Sequence, residues 1–167
     1  MSTPAVELVV RSGRTYHLHE YSHDPAAPFG LEAAQALGVE AERVFKTLVV
    51  SLLGRFAVAV IPVSCELDLK AMARALGAKK VVMAEPSEAE RVTGYVIGGI
   101  SPLGQKRRLA TVVDKSASSW PTVFVSGGQR GVELELAPSD LLVLTTASLA
   151  PVARAHMHRR AQSDQRI

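Results

Sequence analysis

Two rhythms of apolar positions run along the chain. Ala5, Val6, Leu8 and Val9 follow Thr3-Pro4 at helical spacing, so a helix capped by Thr3 is expected to end near Gly13. From Thr15 to Tyr21 the residues alternate, Tyr16 and Leu18 against His17 and His19, which predicts a strand. A loop with two prolines, His23 to Gly30, leads into a helix from Leu31 to Leu37 that Gly38 stops. The clearest signal is the pair of aliphatic runs Val44 to Leu53 and Phe56 to Val63. Gly54-Arg55 lies between them, the spacing of a tight hairpin in which glycine supplies the positive φ.

Downstream, the pattern predicts a helix from Leu67 to Leu76 closed by Gly77, a short strand from Lys80 to Ala84, and a helical turn from Pro86 to Arg91. Four short strands follow, Tyr95 to Ile100, Arg108 to Val113, Thr122 to Ser126 and Val132 to Leu136, divided by glycine-rich turns. A helix from Ser139 to Leu144 closes the series. No internal repeat is visible, and the order is mixed rather than a regular β-α-β alternation. The expectation is a mixed α/β (α+β) fold, a small, mostly antiparallel, barrel-like sheet surrounded by helices.

Length adds that one core is enough: 167 residues with 47 % apolar and 21 % charged positions describe one globular domain, placed at residues 1–153. Residues 154–167 show no apolar period and are expected to form a basic, flexible tail. Aromatic residues are only 5 %, so a surface of several stacked rings is not expected.

The formal charge of +3 conceals a segregation. Residues 91–132 hold six basic groups and one acidic, whereas residues 133–153 hold three acidic and no basic. A basic block is either a solvated surface or the footprint of a polyanion. A single cysteine, Cys65, allows no internal disulfide, and the N-terminus has no basic stretch followed by an apolar one. The most apolar stretch, Thr47 to Val63, is broken by Ser51, Gly54, Arg55 and Pro62. A soluble, cytoplasmic protein is expected, with no membrane partner.

Candidate chemistry concentrates in three places. Lys46 stands in an apolar strand with both faces buried, where a lysine either turns outward at the strand end or enters a pocket to hold an anion. Seven of the twelve glycines fall between Gly94 and Gly131, together with Ser101-Pro102, Lys106, Arg107, Arg108, Ser126 and Arg130. Such loops are either tight turns or backbone nests for phosphate and ribose. Gly94 to Gly99 does not open a helix and no Gly-x-x-x-x-Gly-Lys-Ser/Thr occurs, so ATP and dinucleotides are disfavoured. His17, His19 and His23 lack the ligand spacing of a metal site, and neither metal nor cofactor is expected. Cys65 has no histidine near it in sequence, and Ser126 lacks a Gly-x-Ser-x-Gly elbow. No nucleophile is therefore apparent.

Three segments carry a family resemblance: Val44-Phe-Lys-Thr-Leu, Thr93-Gly-Tyr-Val-Ile-Gly-Gly-Ile-Ser-Pro-Leu-Gly-Gln-Lys-Arg-Arg and Val125-Ser-Gly-Gly-Gln-Arg-Gly. With Thr3-Pro-Ala-Val, Tyr21-Ser-His-Asp-Pro, Leu67-Asp-Leu-Lys and Ala75-Leu-Gly-Ala-Lys-Lys-Val, the chain from about residue 3 to 145 resembles the YbaK family of bacterial Cys-tRNA(Pro) deacylases. The resemblance implies the fold of a prolyl-tRNA synthetase editing domain and removal of cysteine wrongly esterified to tRNA(Pro). It implies catalytic roles for Lys46 at the acceptor end and for Gly98, Gly99, Ser101 and Pro102 in a loop beside the ester. It places Tyr21, Phe29, Thr47, Ser126 and Gly127 in the substrate pocket, with Glu133 where the family often has aspartate. Lys106, Arg107, Arg108 and Arg130 become the expected tRNA contacts.

The family's mechanism fits the missing nucleophile: the substrate thiol attacks its own ester, and the protein supplies orientation. The expected partners are aminoacylated tRNA and prolyl-tRNA synthetase, and no DNA. Cys-tRNA(Cys) is a possible second substrate. The alternatives are an Ala-tRNA(Pro) deacylase using activated water and a non-catalytic module that binds tRNA or the synthetase.

Overall fold

The structure, a computed structural model, describes residues 2–156 apart from the side chain of Phe29. Helix α1 spans Pro4–Ser12. Its cap is the expected one: Thr3 Oγ1 accepts from Val6 N at 3.1 Å, and Gly13 ends the helix at φ 71°. The same Thr3 hydroxyl donates to the carbonyl of Gly127, so the start of α1 anchors a glycine loop from the far end of the chain.

Strand β1 (Tyr16–Glu20) is followed by helix α2 (Phe29–Leu37). The aliphatic runs form β2 (Phe45–Leu52) and β3 (Arg55–Pro62), paired antiparallel from Phe45↔Pro62 to Leu52↔Arg55. The turn is one residue earlier than the pattern predicts. Leu53 and Gly54 are its central residues, at φ 46° and 79°, and Arg55 is already in the ladder. Positive φ at both positions suits the right-handed twist of the strands, and Leu53 tolerates it fully exposed.

Then come β4 (Cys65–Leu67), α3 (Leu69–Leu76), β5 (Val82–Met83) and α4 (Pro86–Thr93). Helix α3 starts later than expected because Asp68 caps it, accepting from Ala71 N at 3.0 Å, while Leu67 belongs to a strand. The chain closes with β6 (Ala110–Asp114), β7 (Val123–Ser126), β8 (Val132–Leu136), α5 (Pro138–Thr145), β9 (Ser148–Ala150) and β10 (Ala153–Ala155).

Among the described residues the strands form a five-stranded sheet β5-β2-β3-β6-β9, a three-stranded sheet β1-β8-β7 and the pair β10-β4. Pairings are antiparallel except β3/β6 and β6/β9. A parallel bridge between Val44 and Phe124 joins the two larger sheets. Strand β3 is covered on both faces, which explains its unbroken aliphatic run. Val58 and Val60 pack with Val92, Val125 and Leu134, while Ala57, Ala59 and Ile61 pack with Met72 and Val112.

Two further expectations need correction. Tyr95 to Ile100 is not a strand: Gly94 at φ 80° and Gly98 at φ 93° turn the chain, and Gly99 N donates to Val96 O at 2.9 Å. The domain also extends beyond 153. Arg154 and Ala155 pair with Glu66 and Cys65, so the expected tail begins inside β10; its remainder, 157–167, lies outside the described residues. Both β9 and β10 are fastened to Asp114, whose Oδ1 accepts from Val152 N and Ala153 N at 2.9 Å each. The short sequences Ser-Leu-Ala and Ala-Arg-Ala carry no strand signal of their own, and tertiary pairing decides their conformation.

Candidate functional site

A cavity of about 200 Å³ opens where β2 is left without a neighbour. Its outer edge is covered at one end by the Val44–Phe124 bridge and at the other by β5, which pairs with Val50 and Ser51. Between them, residues 45–48 are bare. Hydrogen bonds reveal which backbone groups face that gap. Val44 O accepts from Val63 N toward β3, whereas Val49 O accepts from Ala84 N on the outer side. Alternation therefore turns the N–H and C=O of Thr47 toward the open edge.

Tyr21, Lys46, Thr47, Gly98, Ser126 and Glu133 all line this cavity. They come from three strands, β2, β7 and β8, and two loops, and apolar Val44, Phe45, Val63, Ile97 and Ile100 help to complete the wall. Lys46 leaves β2 on the face of Leu48 and Val50, half-buried, and Thr47 leaves on the other. Burial pulls the Lys46 pKa below its ordinary value, partly offset by the electrostatic influence of neighbouring Cys65 and Glu66.

Glu133 is buried, 7 % exposed, at a position opposite His19 in β1 and Ser126 in β7. Desolvation pushes its carboxyl up to about 8. Its Oε2 has no hydrogen-bond partner, and neither has the buried Oγ1 of Thr47. Tyr21 is raised as well, first by burial and then by the charge of Glu133. By contrast Glu135, two residues on, is satisfied: Thr122 Oγ1 donates to it at 2.6 Å and His19 Nε2 lies 2.9 Å away, holding its pKa low.

Ser126 is not poised as a nucleophile. Its Oγ donates to Gly99 O at 3.1 Å and accepts from Gly128 N at 3.1 Å, which ties the two glycine loops together. Gly99 touches the second loop so closely that an added Cβ would lie 2.9 Å from Gln129 Cα and 3.0 Å from Arg130 N. Gly127 is similarly confined by Val132. These two glycines shape the wall without lining it.

Ser101 and Pro102 are buried behind the loop. Ser101 Oγ accepts from Leu103 N at 3.2 Å and its carbonyl accepts from Gln105 Nε2, so its polar atoms serve the turn rather than the cavity. Pro102 lines a separate groove with Leu8 and Thr145. Phe29 is the first residue of α2.

The basic residues divide. Arg130, expected as a tRNA contact, is an internal brace: its Nη2 donates to the carbonyls of Asp24 and Ala27 at 2.7 Å each and lies 3.4 Å from Glu32. Lys106, Arg107 and Arg108 are exposed, but Arg107 and Arg108 line a groove with Leu52 and Arg55 at the hairpin end of β2, away from Lys46. The charge count could not separate these two settings.

Sequence reasoning missed Gly30, which packs on Val63 so tightly that a Cβ would lie 2.3 Å from Val63 Cγ1, and the apolar wall residues of the loop 97–100. Only the proximity of Gly30 to the Pro-rich loop hinted at close packing. Among the described residues no three His, Cys, Asp or Glu side chains converge as metal ligands, and no helix is long and apolar enough to cross a membrane.

Residues 24–144 match the profile of the family described as the aminoacyl-tRNA editing domain. The chain is 38 % identical over 151 residues to EbsC of Enterococcus faecalis, a protein assigned by name to Cys-tRNA(Pro)/Cys-tRNA(Cys) deacylation, covering 90 % of this chain and 92 % of that one. Two solved structures share the fold. One, assigned as a trans-editing enzyme for prolyl tRNA synthetase, is 26 % identical with a TM-score of 0.81, covering 93 % of this chain and 99 % of that one. The other, the hypothetical protein APE2540, is 29 % identical with a TM-score of 0.82, covering 91 % and 100 %.

Proposed function

The chain belongs to the aminoacyl-tRNA editing domain family, and from that premise we propose that it is a deacylase that removes cysteine from mischarged Cys-tRNA(Pro) in the cytoplasm. The observation that carries the reading is the pairing of two buried, unpartnered polar atoms, Thr47 Oγ1 and Glu133 Oε2, on one small cavity. Orphaned polar groups are costly in an empty protein and become useful when a ligand supplies their partners. An α-ammonium group donates hydrogen bonds to such oxygens, and the bare backbone edge at Thr47 offers a further donor and acceptor beside it.

The chemistry follows from what lines the cavity. Its hydroxyls are those of Tyr21, Thr47 and Ser126, and neither histidine nor cysteine is among its lining residues. The nucleophile is the substrate's own thiol. Its sulfur attacks the ester carbonyl, forming a C–S bond; the C–O bond to the terminal ribose breaks, and the 3′ oxygen takes up a proton. The products are a cyclic thiolactone and free tRNA. Holding thiol and carbonyl together confers effective molarities of about 10⁵ M or more in favourable geometries. Backbone N–H groups of the loop that carries Gly98 into the cavity wall would steady the oxyanion, with Gly99 fixing the loop. Lys46, at the rim, holds the terminal ribose or a phosphate.

Proline and cysteine differ too little in size for a synthetase pocket to separate them sharply, so a second site answers a need. Prolyl-tRNA synthetase is the proposed source of tRNA identity, because the bound part of the substrate is its 3′ end. The test is a panel of Cys-, Ser- and Ala-tRNA(Pro), with and without the synthetase. Rapid clearance of the cysteinyl ester alone supports the thiol mechanism. Equal clearance of the alanyl ester would replace it with activated water, and salt-sensitive binding without cleavage would remove the deacylase reading.

A further inference from the structure

At the hairpin end of β2 and β3 lies a groove of about 440 Å³ that the proposed chemistry does not use. Leu52, Phe56 and Leu76 line it, together with Arg55, Arg107 and Arg108, and no carboxylate is among its lining residues. Further cations stand on neighbouring segments of the chain. Arg74 is in the last turn of α3, two residues before Leu76, and Lys79 and Lys80 lead into β5, whose Val82 pairs with Ser51. All six basic residues are exposed, and none of their side chains has a hydrogen bond or ion pair among the described residues.

That is unlike most of the other described arginines, Arg11 on α1 being the exception. Arg14, Arg43, Arg91, Arg130 and Arg154 each have a carboxylate within 4 Å. Arg91, whose guanidinium lies 5.8 Å from the Phe56 ring centroid, adjoins the groove and is already paired with Glu88. Concentrated, uncompensated charge is repulsive in the free protein and favours a polyanion. Guanidinium groups match phosphate oxygens in pairs, and such contacts position a nucleic acid without reading its sequence.

One stretch of chain runs from the cavity to the groove. The segment that begins at the cavity wall with Ile97 and Gly98 reaches the groove at Arg107 and Arg108. Along β2, Lys46 and Leu52 are six residues apart, about 20 Å at the rise of a strand. A duplex advances roughly 3 Å per base pair, so that span takes the nucleic acid past its unpaired 3′ end. Resting on the deacylase reading, we propose that the groove of Arg55, Arg107 and Arg108 seats the phosphate backbone of the acceptor stem while the 3′ end occupies the cavity.

The experiment compares the protein with the triple variant Arg55→Ala/Arg107→Ala/Arg108→Ala and with the triple lysine variant. Binding of uncharged tRNA is followed by fluorescence anisotropy across a salt series, and deacylation is measured on Cys-tRNA(Pro) and on a cysteinylated CCA trinucleotide. The alanine variant is expected to bind tRNA at least tenfold more weakly. Its log–log salt slope is expected to be shallower by about 2, at roughly 0.7 to 0.9 per lost phosphate contact. The ratio of kcat/KM for the tRNA to that for the trinucleotide falls at least tenfold, and lysine restores most of it. An unchanged salt slope and affinity would overturn the proposal, as would an equal loss on both substrates. Loss of synthetase association with tRNA binding intact would make the groove a protein interface and also overturn it. If the protein cleaves neither ester but the alanine variant still loses salt-dependent tRNA binding, the groove stands and the deacylase reading falls.

Discussion

The hydroxyl of Thr47 and the Oε2 of Glu133 belong to strands of two different sheets, yet both reach one cavity, buried and without a hydrogen-bond partner. The fold bears a cost at each that solvent does not relieve. Substitution at either position therefore separates what the groups do for stability from what they do for a ligand. Thr47→Val keeps the shape and removes the hydroxyl. Stability is expected to hold or rise by about 1 kcal/mol, because no hydrogen bond is lost, while kcat/KM for Cys-tRNA(Pro) falls tenfold or more. Urea denaturation and single-turnover deacylation check the two halves; a loss of stability without a loss of rate would make Thr47 a structural residue.

Glu133 gives the fold a pH dependence of definite sign. Its carboxyl stands at about 8 in the folded protein against an ordinary 4.5. Below the lower value both states are protonated and the group is neutral to stability. Between the two the unfolded chain gives up its proton and the native state keeps it, so stability falls as pH rises, levelling above about 8. The upper limit of the loss is about 5 kcal/mol, at about 1.4 kcal/mol per pH unit. Glu133→Gln is expected to match the parent near pH 4 and to exceed it in stability near pH 9, with impaired deacylation. Equal stability at both pH values would mean that Glu133 ionises freely in the native state.

Lys46 tests the other end of the substrate. It is half-buried and loses part of its hydration, which favours contact with an anion or a ribose over a role in solvent. Lys46→Ala is expected to raise KM for Cys-tRNA(Pro) at least tenfold. Unchanged KM and kcat in steady-state deacylation would remove Lys46 from the site.

Alternation and turn residues made much of this fold legible. The hairpin, α1 with its Thr3 cap and the strands β7 and β8 follow from period and punctuation, and the offset of one residue arises because Gly54 is the second residue of the turn and exposed Leu53 takes a positive φ as the first. Motifs named residues that the structure brings to the cavity wall, as with Lys46 and Thr47. What period cannot convey is which side of a strand is covered. In Val132-Glu-Leu-Glu-Leu the two carboxylates alternate identically, yet Glu135 meets Thr122, His19 and Arg43 while Glu133 is buried without a partner at Oε2. The same limit misassigned Arg130, whose surroundings come from a loop a hundred residues away.

Asp114 shows how much of the C-terminal region rests on one residue the sequence did not mark. Its two oxygens accept from Val152 N, Ala153 N, Ser116 N and Ser116 Oγ, at 2.6 to 3.1 Å. Asp114→Ala leaves buried backbone N–H groups unpaired and is expected to cost about 2 to 4 kcal/mol, with β9 and β10 losing hydrogen-exchange protection first. Uniform protection across the chain at reduced stability would show that these strands unfold only with the whole.

Gly99→Ala addresses the contact between the two glycine loops directly. The glycine is needed there for space: the new Cβ would meet the backbone of Gln129 and Arg130 at 2.9 to 3.2 Å, and backbone cannot swing aside as a side chain does. Relief requires the loops to part by a few tenths of an ångström, which strains the hydrogen bond from Ser126 Oγ to Gly99 O and shifts Gly98 in the cavity wall. The expected cost is about 1 to 3 kcal/mol of stability and more than tenfold in deacylation, because the loop that would stabilise the oxyanion moves with it. Thermal denaturation and kcat at saturating Cys-tRNA(Pro) measure both. A variant with lowered stability but intact kcat would show that the loops adjust without disturbing the reacting groups, and the role proposed for the Gly98 backbone would have to be given up.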